Sequence, residues 1–288
     1  MNSRYALLPF FLTFTLIFIS CSSESTVMPD VPPEPETEEP EEEPTWQLVW
    51  EDEFDGDELD QSKWSYQFGT GEDEGLDRWG NRELQYYTER EENISLEDGF
   101  LNITAHKEDF EESDYTSARI ISKNKGDWRF GRIEVRAKLP QGQGIWPAIW
   151  MLPTEEIFGV WPQSGEIDIM ELVGHEPETV HGTVHFGDPS PNNQFKGEPY
   201  SLESGIFADD FHVFSIEWAE NKIQWFVDGN LFFTVTEGTV SPHIYPFNST
   251  FHMILNVAVG GIWPGNPDSS TEFPQTMSVD YVRIYQFK

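Results

Sequence analysis

The sequence has a single cysteine, Cys21, among its 288 residues, so no internal disulfide can form. Basic residues are also few, with 17 Lys and Arg against 52 Asp and Glu, and the formal net charge is −35. Nucleic acids and anionic membrane surfaces repel a chain with this charge, so we expect it to bind neither. A neutral glycan carries no such penalty, whereas a strongly anionic polysaccharide would need a locally basic binding surface.

Long apolar runs are absent except near the N-terminus, where residues 5–20 follow Arg4. This run is short for a membrane span and has the layout of an export signal. The residues from Phe18 to Cys21 resemble a bacterial lipobox with a lipid on Cys21, although Leu is more usual than Phe at the first position. We therefore expect residues 1–21 to be a lipoprotein-type signal peptide. The protein would be exported and lipid-anchored in a bacterial cell envelope, at the outer membrane or cell surface. An ordinary signal peptide with a chance cysteine is the alternative.

Large apolar side chains are also scarce in residues 22–45, which contain nine acidic and no basic residues among many Ser, Thr and Pro. Such a segment buries too little surface to offset its ordering entropy, and prolines stiffen it. We expect a disordered acidic tether that holds the next domain away from the membrane, which only the lipid would contact. Residues 46–288 show no second linker and no internal repeat, so we expect one domain and a monomer.

Long helical periodicity is missing as well. Apolar and polar residues instead alternate in short runs divided by Gly, Pro, Asn and Asp, as in half-buried β-strands. The clearest runs are residues 101–106, 132–138, 211–218 and 279–285. Two apolar runs on either side of Asp228 and Gly229 predict a tight hairpin. The sequence therefore predicts an all-β sandwich of two antiparallel sheets.

Aromatic residues are abundant, at 15% of the chain with 11 Trp. A large β fold uses aromatic side chains in its core, and aromatic platforms also hold sugar rings. Composition alone leaves both interpretations open.

Three acidic residues lie close together in the run 165–171. In a regular strand Glu166 and Asp168 share one face, but Glu171 falls on the opposite face with isoleucines, where its burial is costly. A β-bulge at Ile169-Met170 inserts one residue and returns Glu171 to the acidic face. The sequence thus predicts a row of three carboxylates on one strand face.

Such a row does not favour folding, since carboxylates repel one another and raise at least one pKa. Glycoside hydrolysis does require it, because one carboxylate attacks the anomeric carbon while a neutral carboxylic acid protonates the leaving oxygen. A retaining enzyme holds these two groups about 5–5.5 Å apart. In a chain this acidic, a solvent-facing acidic strand is the alternative interpretation.

The surrounding sequence resembles glycoside hydrolase family 16 over nearly all of residues 46–288. The run 165–171 is similar to the family's active-site signature, in the bulged form with Met170 that laminarinases, agarases and carrageenases have. Other similar segments are residues 50–56, 81–87, 146–152, 256–261, 263–265 and 279–285. The resemblance implies a β-jelly-roll sandwich with a concave glycan-binding cleft. Segments 81–87 and 263–267 most resemble bacterial laminarinases, which cut β-1,3-glucans.

The same resemblance implies roles for individual residues. Glu166 would be the nucleophile, Asp168 its assistant, and Glu171 the general acid and then the general base. The side chains implied to bind substrate or brace the cleft are Asn81, Glu83, Arg119, Trp146, Trp150, Trp161, His185 and Trp263. By alternation His185 shares a strand face with His181, which fits a cleft lining.

Several of these assignments have structural alternatives. Trp146 and Trp150 share a face of one strand, which is either the core or the cleft floor. Glu83 could equally pair with Arg82 or Arg119. A purely structural role is the alternative for His185.

Many members of the family carry a structural calcium ion away from the cleft. The resemblance places its ligands at Glu53, the backbone carbonyl of Gly99, and Asp280, which are oxygen donors of the kind that calcium prefers. A surface acid and a turn glycine are the alternative. We expect no cofactor for catalysis, and no Cys/His cluster suggests a transition metal.

Three functional hypotheses follow. The favoured one is a retaining endo-β-1,3-glucanase that hydrolyses neutral β-glucan through a glycosyl-enzyme intermediate. The second is a hydrolase of mixed-linkage β-glucan or of an algal galactan. The basic residues available for a sulfated galactan are Arg78, Arg82, Arg119 and Arg129. The third is a non-catalytic glucan-binding surface protein, against which the intact acidic row argues.

Overall fold

The computed structural model of the protein describes residues 45–287. The predicted signal peptide 1–21 with its Cys21, and the predicted tether 22–45 apart from Thr45, lie outside the described residues. Within the described part, no helix is long and apolar enough to cross a membrane.

The described chain consists almost entirely of β-strands joined by turns. In chain order the strands are β1 Trp46–Asp52, β2 Ser65–Gln67, β3 Gln85–Tyr87, β4 Ile94–Glu97, β5 Phe100–Phe110, β6 Ser113–Ser117, β7 Arg119–Ile121, β8 Asp127–Trp128, β9 Gly131–Lys138, β10 Ile145–Pro153, β11 Glu166–Glu171, β12 Thr179–Gly187, β13 Asn193–Ser201, β14 His212–Ala219, β15 Lys222–Val227, β16 Asn230–Thr236, β17 Phe251–Val259 and β18 Gln275–Phe287. The helices are the short α1 Glu237–Val240 and the 3-10 helices Glu72–Glu74, Arg78–Gly80 and Pro246–Asn248. The all-β prediction is confirmed.

The strands form two sheets. The ten-stranded sheet has the order β16-β15-β14-β9-β18-β5-β6-β3, with β1 beside β18 and β4 beside β5. The eight-stranded sheet has the order β13-β12-β11-β10-β17-β7-β2, with β8 beside β17. These pairs are antiparallel except that β3 runs parallel to β6. The predicted sandwich is confirmed, with that one parallel pair as a departure.

The predicted hairpin forms between β15 and β16. Asp228 and Gly229 have φ of 50° and 78°, the positive values that a two-residue turn of this kind requires at both positions. Glycine adopts such a value without strain, and aspartate is among the few residues that tolerate it. The local sequence therefore sets this strand connection by itself.

The core fills the space between the two sheets. Inward-facing side chains that are at most 1% exposed include Ile133, Val135, Ala137, Phe214, Ile216, Met253, Leu255 and Val257. Burying one large apolar side chain contributes about 1.5–3 kcal/mol to folding. The core therefore stabilises the sandwich through the inner faces, and the outer face of the eight-stranded sheet is available for polar side chains.

One core tryptophan supports the strand that carries the three acids. Trp225 of β15 is fully buried and donates its indole N–H to the backbone carbonyl of Asp168 at 2.8 Å. Gly182 on β12 permits this approach, because a Cβ there would lie 2.6 Å from Cδ1 of Trp225. The ten-stranded sheet thereby holds the backbone of β11 from the core side.

Candidate active site

Strand β11 contains the predicted bulge. Asp168 and Glu171 pair with Thr183 and His181 of β12, so three steps along β11 match two along β12. The pairing with β10 is also irregular at this place. The extra residue lies within Ile169-Met170, whose side chains are 3% and 0% exposed. The bulge prediction is confirmed, and the bulge allows both apolar side chains to enter the core.

The register also shows that the three acids share one face. Their partners on β12 are, from Glu166 to Glu171, His185, Thr183 and His181. These partners are every second residue of a regular strand, so their side chains point to the same face. Residues paired across neighbouring strands also share a face, so the acids point the same way as their partners. The three carboxylates therefore stand together on the outer face of the eight-stranded sheet.

His185 supplies the positive charge of this site. Its Nε2 lies 3.7 Å from Oε1 of Glu166 and 3.4 Å from Oδ2 of Asp168. Burial disfavours the charged imidazole, but the neighbouring carboxylates, first of all Glu166, outweigh burial and raise the pKa of His185 to about 10. The ring is therefore positively charged at neutral pH, and it balances part of the acidic row.

The two glutamates have matching indole contacts but different ionisation. Oε2 of Glu166 accepts the indole N–H of Trp161 at 2.8 Å, and Oε1 of Glu171 accepts that of Trp146 at 3.0 Å. Burial and then the charge of the neighbouring Asp168 raise both pKa values. The pKa of Glu166 rises to about 7, whereas that of Glu171 rises well above its usual range. Glu171 is therefore the glutamate that keeps a proton.

Two exposed loop tryptophans flank the acids at opposite ends of β11. Trp161 is 43% exposed, and its ring lies 5.9 Å from that of His185. Trp263 is 42% exposed, and its ring lies 5.6 Å from Trp146 and 5.1 Å from His181. The open path between the two indoles lies over the carboxylates. We call this path the cleft.

Residues 81–283 match the sequence profile of the glycosyl hydrolases family 16. The chain belongs to glycoside hydrolase family 16. A beta-glucanase of Rhodothermus marinus is 45% identical over 256 residues, which cover 85% of this chain and 86% of that relative. Glucan endo-1,3-beta-glucosidase A1 of Niallia circulans is 43% identical over 83% of this chain, which spans only 38% of that relative. The solved laminarinase catalytic domain of Thermotoga maritima is 46% identical with a TM-score of 0.79, over 84% of this chain and 98% of that domain.

These matches confirm the family, the jelly-roll fold and the enzyme class that were predicted from the sequence. The protein is a glycoside hydrolase, and enzymes of this family need no cofactor for catalysis. The retaining mechanism is general for the family.

Arg119 lies beneath the cleft. Its guanidinium lies 4.4 Å from the ring centroid of Trp79 and 4.7 Å from that of Trp150, and its Nε donates to Oε1 of Gln67 at 2.6 Å. The residue is only 6% exposed. Such stacking of a guanidinium on aromatic faces is favourable when desolvated. Arg119 therefore packs against two aromatic rings of the cleft floor, and its expected role in binding substrate or bracing the cleft stays a prediction.

Glu83 belongs to the same buried group. Its carboxylate accepts hydrogen bonds, at 3.4, 2.7 and 3.4 Å, from Asn81, Gln85 and Tyr87. Asn256 links this group to the cleft, since it donates to the hydroxyl of Tyr87 at 3.1 Å and accepts the indole N–H of Trp150 at 2.7 Å. Burial raises the pKa of Glu83, and the charge of Arg119 opposes that rise. The hydrogen-bond partners of Glu83 are thus amide and hydroxyl groups. The sequence had instead suggested a pair with Arg82 or Arg119.

Sequence reasoning missed Tyr87, Trp79 and Asn256 in this group. A signal existed for Asn256, because it is a polar residue inside the apolar strand β17 and is 5% exposed. A buried amide needs a hydrogen-bond partner, so its position indicates a polar network. Trp79 carried no comparable signal, since it lies in a 3-10 helix far from the acidic run in sequence.

The three residues expected to bind calcium lie along the ten-stranded sheet. Glu53 follows β1, and Gly99 precedes β5, and both strands pair with β18, which contains Asp280. Both carboxylates already have cationic partners. Glu53 accepts two hydrogen bonds of 2.7 Å from Arg283, and Asp280 forms an ion pair with Arg136. A calcium ion would have to compete with these guanidinium groups.

Proposed function

We propose that this protein is a retaining endo-β-1,3-glucanase that hydrolyses laminarin-type glucan. The observation that carries the proposal is the shared strand face of Glu166, Asp168 and Glu171, with a proton held preferentially on Glu171. The names of the relatives, a beta-glucanase, an endo-1,3-beta-glucosidase and a laminarinase, support the β-1,3 linkage.

In the first step a carboxylate oxygen of Glu166 attacks the anomeric carbon as the glycosidic C–O bond breaks. Glu171 donates its proton to the leaving oxygen, so the departing sugar leaves as an alcohol. The product is a glycosyl ester of Glu166. In the second step the Glu171 carboxylate takes a proton from water, and the water oxygen displaces Glu166 from the anomeric carbon. Two inversions return the β configuration.

His185 and Asp168 stabilise charge during this cycle. The imidazolium lies within 4 Å of both the Glu166 and Asp168 carboxylates. When Glu166 becomes an ester and loses its charge, Asp168 stays beside His185 as its counter-ion. Asp168 is 2% exposed, so its charge acts in a medium that screens it weakly.

A product assay tests the proposal. Reducing ends would be measured on laminarin, lichenan, agarose, porphyran and carrageenan with the native protein and with Glu166→Gln. We expect release from laminarin by the native protein alone, with the β anomer as the first product seen by proton NMR. Release only from a galactan would overturn the substrate, an initial α anomer would overturn retention, and glucan binding without release would indicate a binding protein.

The charge of His185 should set the acid limb of the pH profile. Glu166 must be ionised to attack, so kcat/KM should fall as the pH drops through its pKa of about 7. His185→Gln removes the cation that favours the carboxylate, so the pKa of Glu166 should rise. The acid limb should then move to higher pH by roughly one pH unit or more. His106→Gln, on β5 of the other sheet, is the matched control and should leave the limb in place. An unmoved limb in His185→Gln would show that this histidine is not charged.

We propose a structural calcium ion at Glu53, Gly99 and Asp280 on the strength of the family resemblance. Thermal unfolding with saturating calcium and with a chelator would test it. A ligand at about 100 times its Kd adds about 2.7 kcal/mol of stability, so Tm should rise with calcium by roughly 5–10 °C. Asp280→Asn should remove this dependence. Equal Tm values for the native protein with calcium and with the chelator would overturn the calcium site. Glu53 and Asp280 would then serve only in their ion pairs with Arg283 and Arg136.

We propose that the protein is exported and anchored in the cell envelope by a lipid on Cys21. The support is the sequence of residues 1–21, with the acidic run 22–45 as the tether. Expression of the full chain with Cys21→Ala should move the protein from membrane fractions to the soluble fraction in a bacterial host. If the native chain is itself soluble, the anchor proposal fails.

A further inference from the structure

An exposed phenylalanine extends the row that starts at Glu166. His185 of β12 pairs with Glu166 on one side and with Phe195 of β13 on the other, so all three side chains share the cleft face. The ring of Phe195 lies 6.0 Å from that of His185. Phe195 is nevertheless 65% exposed.

The side chains around Phe195 leave its ring open. Its neighbours on the same face of β13 are Asn193 on one side and Gly197, which has no side chain, on the other. β13 is the last strand of the eight-stranded sheet, so no further strand covers it. Across His185 from Phe195 stands Trp161, whose ring is 5.9 Å from the histidine. Exposed apolar surface on both sides of His185 is of the kind that marks a ligand-binding groove.

On the β12 side of the catalytic strand, His185 is the one strand residue predicted to bind substrate, and Phe195 lies one strand beyond it. Trp146 and Trp150 stand on β10 and Arg119 stands on β7, and both strands lie on the opposite side of β11 in the strand order. The paired row of Glu166, His185 and Phe195 runs across the strands on the cleft face. A glycan that crosses β11 from the β10 side therefore continues over β12 and reaches Phe195 at the sheet edge.

We propose that Phe195 forms an outer subsite that stacks against the apolar C–H face of a glucosyl unit beyond the cleaved bond. The inference rests on the proposed function and deepens it, since contacts on both sides of β11 favour cleavage inside a chain over removal of terminal units. The occupant is the continuing neutral glucan, because the platform is apolar and is continuous with the cleft.

Substrate length gives the decisive measurement. Phe195→Ala should lower kcat/KM on long β-1,3-gluco-oligosaccharides by roughly 2- to 12-fold, the fold-change of one aromatic stacking contact. The loss should be smallest for the shortest oligosaccharide that is cut, and Phe195→Trp should restore the long-substrate rate. Leu231→Ala is the matched control, since Leu231 is 52% exposed on β16 of the other sheet.

Equal losses at every length would overturn the subsite and show that Phe195 only packs on His185. No loss at any length would overturn it as well. Calorimetric titration of Glu166→Gln with long oligosaccharides, with and without Phe195→Ala, separates this inference from the proposed function. If the native protein cuts no β-1,3-glucan, the proposed function is overturned. If the variant with both Glu166→Gln and Phe195→Ala binds the oligosaccharides more weakly than Glu166→Gln alone, the subsite is supported. Equal affinities would overturn the subsite whichever glycan the native protein cuts.

Discussion

Glu166→Ala should lower kcat on β-1,3-glucan by on the order of 10⁵-fold, the scale seen when a nucleophile is removed. The variant keeps the acid Glu171 and the charged His185, but nothing attacks the anomeric carbon. Its alanine leaves a space beside the Trp161 indole, which a small anion can enter. Azide should therefore restore turnover on an aryl β-glucoside, whose leaving group needs little protonation.

The configuration of the azide product separates the two glutamates. In Glu166→Ala, azide forms the C–N bond as the aryloxide leaves, and this single inversion gives an α-glycosyl azide. In Glu171→Ala, Glu166 still forms the glycosyl ester, and azide then displaces it, so two inversions give a β-glycosyl azide. Proton NMR of the isolated products measures this directly.

The matched control for this experiment is a buried acid away from the cleft. Glu134 of β9 is 9% exposed and forms an ion pair with Arg132 on the other sheet. Glu134→Gln should keep most of the activity and give no azide product. A β-glycosyl azide from Glu166→Ala would show that the nucleophile lies elsewhere, and the assignment of Glu166 would then be wrong.

The acidic row was predictable because its cause is local. Alternation along one strand forces Glu171 to the wrong face unless a residue is added, and the structure places the extra residue at Ile169-Met170. The hairpin at Asp228 and Gly229 was predictable for the same reason, since the turn chemistry of two residues determines it. Neither inference needed the order of the strands in a sheet.

The features that sequence reasoning missed depend on that order. Arg119 meets Trp79 and Trp150 because β7, β17 and β10 are neighbours, an arrangement that local patterns do not specify. Phe195 faces the cleft because β13 pairs with β12 in a register that brings it opposite His185. Long-range pairing of this kind is decided by the packing of the whole sandwich, so these contacts at the floor and edge of the cleft emerge only from the fold.

Trp225→Phe should lower both stability and kcat, because it removes the donor that holds the bulged strand. The carbonyl of Asp168 would stay buried without its 2.8 Å partner, at a cost of about 1–3 kcal/mol. At 2–4 °C per kcal/mol for a domain of this size, Tm should fall by roughly 2–12 °C. Small displacements of a catalytic group are costly, so kcat should fall by roughly 10- to 100-fold. Thermal unfolding and laminarin hydrolysis well below Tm measure the two effects.

Trp218→Phe separates positioning from stability. Trp218 of β14 is 1% exposed and donates its indole N–H to the carbonyl of Phe247 at 2.7 Å, so its loss removes the same kind of buried bond. The two variants should lose similar stability, but only Trp225→Phe disturbs the backbone between Glu166 and Glu171. Equal losses of kcat would mean that general loosening of the core explains both, and that Trp225 does not position the carboxylates. A selective loss in Trp225→Phe would show that the ten-stranded sheet contributes to catalysis through one indole N–H.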